Sequence, residues 1–486
     1  MQGLLSEGGL LGFPVPRCRR HPGQTGQDLG FMVNSGCARG SQSTKGCGMK
    51  MYFCSCFCHQ SFCHVTRCWL PAVMVWLCLG NSWFAAAQEL TLAEATDWPW
   101  WRGPQRNGVA AAGQRPPVFW SATENVIWKS EVPGKGHGSP VLVGSDLLLA
   151  TCQGDAQLVV CFDEKTGKKK WQQVVHEGGL VEGGNQKRSH ASSTVACDGD
   201  RLFVNFHNRD AIYTTALDRD GKQLWQTKIS DYVLHQGYGS SPAVFGPLVL
   251  VSADHKGGGA IAALARTTGE VVWRHGRPET ANYTSPIVLS VAGRRQLVFT
   301  GCNRVSSFDP LTGSPLWEIE GATTECVTSV VADGDLVFSS GGYPQNHIAA
   351  VRADGSGERV WENSVRAYVP SLLVKDGFLY AVTDAGVAMC FDSQTGDLQW
   401  KGRLGGTFSA SPVLVDETIF AVNESGKTFV FEATPDQLTL IGDSQLGDEV
   451  FATPVFCRSR IYMRVAMGHG EERQEMLFCL GETESR

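Results

Sequence analysis

The chain has 486 residues, with 42 Lys and Arg against 48 Asp and Glu. That mildly acidic balance excludes the clustered positive charge a phosphate-backbone partner needs. Its 56 Gly and 21 Pro, with no long helical pattern, make it turn-rich and point to an all-β fold, which at this length can form one closed unit.

In chain order, the first 87 residues stand apart. They hold 9 of the 17 cysteines and 7 Lys and Arg against only Glu7 and Asp28. Arg67 precedes an apolar run from Trp69 to Leu79, and Ala85-Ala86-Ala87 close the segment. A basic flank, a short apolar core and an A-x-A end make a secretory signal, with cleavage expected after Ala87. The run is too short for a bilayer span, which needs about 20 residues, and no small residues lead into Cys78 as a lipid anchor requires. A signal normally begins at the initiator, so Met49 or Met51 is the expected start and residues 1–48 are expected to lie upstream of the translated chain. The cluster Cys54, Cys56, Cys58, Cys63 and Cys68 with His59 and His64 has metal-ligand types, but falls in the leader and is expected to be lost.

Past residue 87 the chain keeps 35 Lys and Arg against 46 Asp and Glu, a net charge of −11. Eight cysteines remain: Cys152, Cys161, Cys197, Cys302, Cys326, Cys390, Cys457 and Cys479. Several occupy apolar strand positions and read as buried thiols. A pair such as Cys152 with Cys161 across one hairpin is the disulfide that spacing alone leaves open. Residues 88–125 are expected to form an N-terminal strap.

From residue 126 onward one tryptophan recurs: Trp128, Trp171, Trp225, Trp273, Trp317, Trp361 and Trp400, at intervals of 43, 54, 48, 44, 44 and 39 residues. A turn precedes most copies at fixed distance, as in Lys165-Thr166-Gly167, Thr267-Thr268-Gly269, Leu311-Thr312-Gly313 and Gln394-Thr395-Gly396, with Arg219-Asp220-Gly221 as a variant and Asp354-Gly355 carrying a two-residue insertion. Glycine takes the positive φ that closes such a hairpin. Upstream in each unit a small polar residue and proline open an apolar strand, as at Ser139-Pro140, Ser241-Pro242, Ser285-Pro286, Ser411-Pro412 and Thr453-Pro454; the first residue of a strand need not donate to the ladder. Each unit is four short strands in about 45 residues, the spacing of propeller blades. Openers at residues 139, 193, 241, 285, 329, 370, 411 and 453 predict eight blades, with residues 126–486 as the propeller. The seventh unit has Leu440-Ile441 where tryptophan is expected. The eighth ends at Leu480 one strand short, and Val126-Ile127-Trp128 is the missing strand, so the two ends of the propeller chain are expected to pair and remove both sheet edges.

This repeat resembles the pyrroloquinoline-quinone (PQQ)-like propeller repeat, an alternating strand followed by Asp-x-x-Thr-Gly-x-x-x-Trp; Asp163 to Trp171, Asp309 to Trp317 and Asp392 to Trp400 match it. The resemblance implies that the tryptophan docks between blades and the glycine closes the turn. The opening Trp98-Pro99-Trp100-Trp101-Arg102-Gly103-Pro104 also resembles the start of secreted single-propeller proteins abundant in planctomycete-type bacteria. Quinone-dependent alcohol dehydrogenases of this superfamily carry a vicinal disulfide and a calcium site; this chain has no Cys-Cys pair and no long insertions to build a cofactor lid. PQQ and calcium are therefore not expected, nor is any metal.

No motif marks catalysis. Glu424-Ser425-Gly426-Lys427-Thr428 imitates the end of a phosphate loop, but Ala421 replaces the leading glycine and no helix pattern follows, so it reads as a hairpin. His176-Glu177 lacks the second histidine of a zinc-protease helix. The loops leading into the inner strands form one funnel face and carry the candidate ligand-binding residues His137, Arg188, His190, His235, Tyr238, Tyr283, Glu325 and Tyr368. For any single one, satisfying backbone groups at a crowded axis is the simpler account. The expected function is a non-catalytic, exported binding scaffold, periplasmic or extracellular and monomeric, that engages a protein or small-molecule ligand at the funnel face or rim. A similar propeller serves as the scaffold lipoprotein of outer-membrane barrel assembly. The alternative is a PQQ-dependent or other funnel-site oxidoreductase, for which Glu325 paired with His137 or His190 would be the sign.

Overall fold

A computed structural model describes residues 92–93 and 95–482; the leader, its cysteine cluster and the expected cleavage site lie outside them. The described chain is all-β, with one 3-10 turn at Gly470–Glu472. Its strands form eight antiparallel four-stranded sheets, each one blade of a propeller. Blade 1 runs inner to outer through Val141–Val143, Asp146–Gln153, Ala156–Asp163 and Lys169–Glu177. Blades 2 to 7 repeat that order, with inner strands at Ala196–Cys197, Ala243–Phe245, Ile287–Val291, Val331–Asp333, Leu373–Lys375 and Val413–Val415. Blade 8 takes three strands, Val455–Cys457, Arg460–Met467 and Gln474–Leu480, from the end of the propeller, and its outer strand is Val126–Val132 from the beginning. Trp128 sits opposite Cys479 and Glu131 opposite Met476. The expected closure holds, and no sheet edge is left where the ring joins.

The apolar core lies between facing blades. One layer joins blades 7, 8 and 1 through Phe420, Val455, Phe456, Leu149 and Phe478, and another joins blades 2 and 3 through Phe203, Ile212, Val249 and Leu264. Alternating β-branched and aromatic side chains on both faces of a strand suit a sheet buried on both sides. All eight cysteines past the leader are buried and unpaired. Cys152 faces Gln157 and Cys161 faces Leu148 along the same hairpin, so register separates the pair that spacing left open.

The recurrent tryptophan is the joint between blades. Each outer strand carries a one-residue bulge just before the tryptophan position. A bulge bends the strand and re-aims the following side chain, here toward the next blade. Trp171 Nε1 donates to Arg219 O of blade 2 at 2.9 Å, Trp225 to Arg266 O at 3.1 Å, Trp361 to Ser393 O at 2.8 Å and Trp400 to Thr434 O at 2.8 Å. Under Trp128, Trp171, Trp225, Trp273 and Trp361 lies the turn glycine of the next blade: a Cβ on Gly396 would stand 2.6 Å from the Trp361 ring, so glycine is required for contact as well as for its φ of +76°. The insertion at Asp354-Gly355 loosens one joint. There Trp317 donates to Gln296 Oε1 at 2.7 Å, and Gln296 relays the bond to Ala353 O at 2.8 Å.

Blade 7 lacks this joint for a topological reason. The pairing Val430 with Gly442 occupies the place of Cys390 with Trp400, so the tryptophan position is Gly442, one or two residues past the Leu440-Ile441 expected. A tryptophan there would have no covalent turn to dock on, because the third and fourth strands of blade 8 come from opposite ends of the propeller chain; where the turn would be, Gly481 N–H donates to Asn125 O. The strap fills the gap: Trp120 is fully buried, stacks on Phe420 at 6.5 Å and donates its backbone N–H to Ser444 Oγ at 2.9 Å.

Upstream of Trp120 the strap crosses the axis. Trp98 bridges Leu142 of blade 1 through both backbone groups, Pro99 accepts from Cys197 of blade 2, and Ala110 donates to Leu414 of blade 7. Arg106 lies over the Trp100 ring at 4.0 Å and caps Val244 O of blade 3. Trp101 Nε1 donates to Ser329 Oγ of blade 5 at 2.8 Å. Arg102, 1% exposed, donates to Pro412 O, Leu372 O and Asn107 O; burial draws its pKa down to about 9, which leaves it charged at neutral pH. Apart from Trp101 on the opener Ser329, these contacts fall on residues past the openers, so the strap closes the channel at the end opposite the funnel.

Candidate functional site

Funnel loops above and the strap below leave a blind cup of about 350 Å³ at the axis. Its floor is a girdle of the opener residues. Ser139 N–H donates to Thr194 Oγ1, Thr194 N–H to Ser241 Oγ, Ser241 N–H to Ser285 Oγ, Ser329 N–H to Ser371 Oγ, Ser371 N–H to Ser411 Oγ and Ser411 N–H to Thr453 Oγ1, all at 2.9–3.0 Å. In six of the eight blades the small polar residue before the inner strand is thus an acceptor for the preceding blade. The girdle also corrects the register by one residue in two blades: Thr194 and Ser371 are the equivalents of Ser139, not residues 193 and 370.

Five of the eight residues selected on the funnel face line the cup: His137, Arg188, Tyr238, Tyr283 and Tyr368. His137 packs its ring 4.4 Å from Phe451. Burial, with Lys135, Arg464 and Arg473 adding to it, holds its pKa well below the usual histidine value, and its Nε2 has no hydrogen-bond partner. Arg188 braces its own loop, donating to Val181 O at 2.6 Å and to Gly183 O. Tyr238 donates its hydroxyl to Ser252 O at 2.9 Å. Burial raises the pKa of Tyr283 and Tyr368, and Glu325 raises both further.

The other three residues do not line the cup. His190 sits in a small side cavity with Asn205 and Phe206, its Nδ1 3.3 Å from Arg188; burial and Arg188 lower its pKa. Glu325 is 4% exposed and pairs with His235, Nε2 to Oε1 at 3.2 Å, rather than with His137 or His190. Tyr368 donates to its second oxygen at 3.4 Å. His235 Nδ1 faces Lys256 Nζ at 3.2 Å, so both ring nitrogens are engaged and neither is left to abstract a proton from a ligand.

Trp101, Phe451, Lys187 and the girdle hydroxyls also line the cup and were missed as site residues. The openers and Trp101 were visible as motifs, but which end of the channel they face is a tertiary matter. The phosphate-loop imitation is a hairpin: Asn423 Oδ1 accepts from Ser425 N and Lys427 N and Gly426 sits at φ +82°. Among the described residues no group of three His, Cys, Asp or Glu is placed to hold a metal, and no helix is long and apolar enough to cross a membrane.

Fold, joint and girdle together define a single eight-bladed propeller of the PQQ-like superfamily. The family profile for outer membrane protein assembly factor BamB matches residues 102–232 and 159–402, and the chain belongs to that family. BamB of Burkholderia pseudomallei (strain K96243) is 25% identical over 351 residues, covering 68% of this chain and 82% of that one. The crystal structure of BamB from Moraxella catarrhalis superposes with a TM-score of 0.53 at 14% identity, over 74% of this chain and 98% of that chain. Quinohemoprotein alcohol dehydrogenase from Comamonas testosteroni gives 0.59 at 13% identity, over 81% and 82%. At such identities structural likeness speaks for fold alone.

Proposed function

We propose that this protein is a non-catalytic interaction scaffold of the cell envelope, periplasmic or extracellular, which engages a protein or small-molecule ligand at the cup or the blade rim. Membership of the BamB family supports the scaffold reading. The observation that carries its non-catalytic part is the lining of the cup: aromatic rings, hydroxyls, two cations and no carboxylate. A concave site walled by aromatic side chains with a few convergent polar groups suits recognition. The His–carboxylate pair among the funnel residues, His235 with Glu325, is already engaged with its neighbours.

The donor set does not fit a calcium-held quinone. Calcium takes several oxygen ligands, carboxylates among them, and the cup lining supplies none. Arg188, which could receive a quinone carboxylate, is tied to carbonyls of its own loop. Titrating the exported protein from Gln88 with PQQ and calcium, while following quinone absorbance and melting temperature, is expected to give no saturable shift; a calcium-dependent one would replace this reading with an oxidoreductase. Cross-linking in envelope preparations is expected to recover a specific protein partner that competes with cup or rim variants.

A further inference from the structure

One loop of the funnel face is longer than its equivalents. The segment leading into the inner strand of blade 2 spans residues 178–195, 18 residues, where those leading into the other seven inner strands run to 8–11. The 54-residue interval between Trp171 and Trp225, the longest of the repeat, reflects this insertion. A loop that outgrows its equivalents in a compact fold is commonly a lid or a binding loop. Its base is held by blades 1 and 2: Gly178 N–H donates to Asp155 O at 3.0 Å and Arg209 N–H to Gly179 O at 2.6 Å. Gly183 and Gly184 then turn the chain at φ of +95° and +79°, and Asn185 N–H donates to Gln236 O of the next funnel loop at 2.8 Å. Asn185, Lys187 and Arg188 all stand on the cup wall.

From this turn Lys187 reaches across the cup. Its Nζ meets Glu424 Oε2 at 2.7 Å, and Ser409 Oγ, also on the cup wall, donates to the other carboxylate oxygen at 2.6 Å. Glu424 opens the hairpin of blade 7 that imitates a phosphate loop. Blades 1 and 8 stand between blades 2 and 7, so this bond spans the mouth instead of joining neighbours. Among the described residues no other hydrogen bond or ion pair ties residues 178–188 to blade 7. The Lys187 side chain is 57% exposed and that of Glu424 17%, and a pair so open to solvent is weak and screened by salt. A single weak contact across an entrance suits a latch, not a structural tie.

We propose that this loop is a lid over the cup and that the Lys187–Glu424 pair is its latch. With the pair made, Lys187 bars the mouth; with it broken, the loop tip is released and a bulky ligand reaches the aromatic wall. The proposal goes beyond the scaffold reading, because it concerns access to the cup and not what the cup binds.

The test places a reporter thiol on the cup wall with Val327→Cys, at a half-buried lining position of blade 5. Labelling at position 327 by a small methanethiosulfonate and by a bulky fluorescein maleimide is followed by peptide mass spectrometry, which separates it from the native cysteines. In this background Lys187→Gln is expected to speed the bulky reagent about two- to fivefold, the span an exposed pair supports. The small reagent and the melting temperature are expected to stay unchanged. Sodium chloride at about 1 M, where the Debye length is about 3 Å, should speed the bulky reagent alike in the reporter protein and add nothing to Lys187→Gln. The charge swap of Lys187→Glu with Glu424→Lys should restore the slow rate that either reversal alone loses. Equal bulky-reagent rates with and without the pair would overturn the lid. So would equal acceleration of both reagents with a fallen melting temperature, which would make the pair a prop of the fold. Neither result touches the scaffold reading, which the cross-linking tests separately.

Discussion

Seven blade-to-blade joints of this ring and the eighth solve the same problem differently. In blades 1 to 6 and 8, the outer strand presents its own tryptophan to the turn of the next blade, or to a buried glutamine that relays to it. Between blades 7 and 8 no covalent turn exists to receive one, and Trp120 comes from the strap instead. The comparison teaches that the tryptophan of this repeat is kept by its receptor: where the turn is missing the residue is missing, and the same large ring is supplied from elsewhere. It also shows why the ring closes firmly where its two ends meet. Glu164 of blade 1 receives Arg460 and Tyr462 of blade 8, both at 2.7 Å, and Arg464 reaches Ala150 O and Thr151 Oγ1.

The comparison can be broken most severely by removing residues 88–128. That deletes the strap, Trp120 and part of the outer strand of blade 8. We expect the melting temperature to fall by more than about 10 °C and the protein to associate through the opened edge; a monomer with unchanged melting would sink the closure. Next in size, Trp120→Ala should cost about 3–5 kcal/mol by denaturant unfolding, the usual toll for a buried aromatic truncated to a cavity. Trp171→Ala should cost about 2–3 kcal/mol, since its ring is only partly buried. The reverse order would mean that the strap is decoration.

Glycine substitutions sharpen the comparison further. Gly396→Ala meets both the Trp361 ring and a left-handed φ and should cost about 2–4 kcal/mol. Gly355→Ala, whose Cβ would stand 3.8 Å from Trp317 at φ +93°, should cost only the backbone part, about 1 kcal/mol. The smallest effect is expected at Gly442, where a Cβ would meet only Val118 O at 3.4 Å and φ is not in the left-handed region: Gly442→Ala should change stability by less than about 0.5 kcal/mol.

Acid probes the buried histidines of blades 2 and 5. Burial lowers the pKa of His207 and His347 to about 4, below the unfolded histidine value of about 6.5. Stability from keeping these rings neutral is fully present above pH 6.5 and is lost as pH falls toward 4. Melting temperature should therefore decline from pH 7 to pH 4.5, and His347→Gln should flatten that decline; an identical pH profile would show that the buried ring does not carry it.

Much of the fold was legible in the chain because each blade restates one local pattern. Hairpin glycines, alternating strands and spaced tryptophans are short-range features, so eight units and their closure could be read. The errors were of one or two residues, at Thr194, Ser371 and Gly442, because the bulge and the inter-blade hydrogen bond that define equivalence involve strands from two hairpins. Of the funnel-face residues, five reached the cup wall, while His190, His235 and Glu325 did not: residues adjacent in a loop point in different directions once the loop is tied down, as Arg188 is by Val181 and Gly183.

By itself the sequence determined the blade, its number and the chemistry at each turn, since those depend on residues within about 45 positions of one another. Tertiary structure alone decided that the Trp98–Pro104 segment closes one end of the axis, that Trp120 stands in for a tryptophan absent from blade 7, and that opener hydroxyls accept backbone N–H groups of neighbouring blades. Those outcomes depend on which groups converge on the axis when the ring shuts, and contacts such as Trp101 with Ser329, 228 positions apart, exist only after closure.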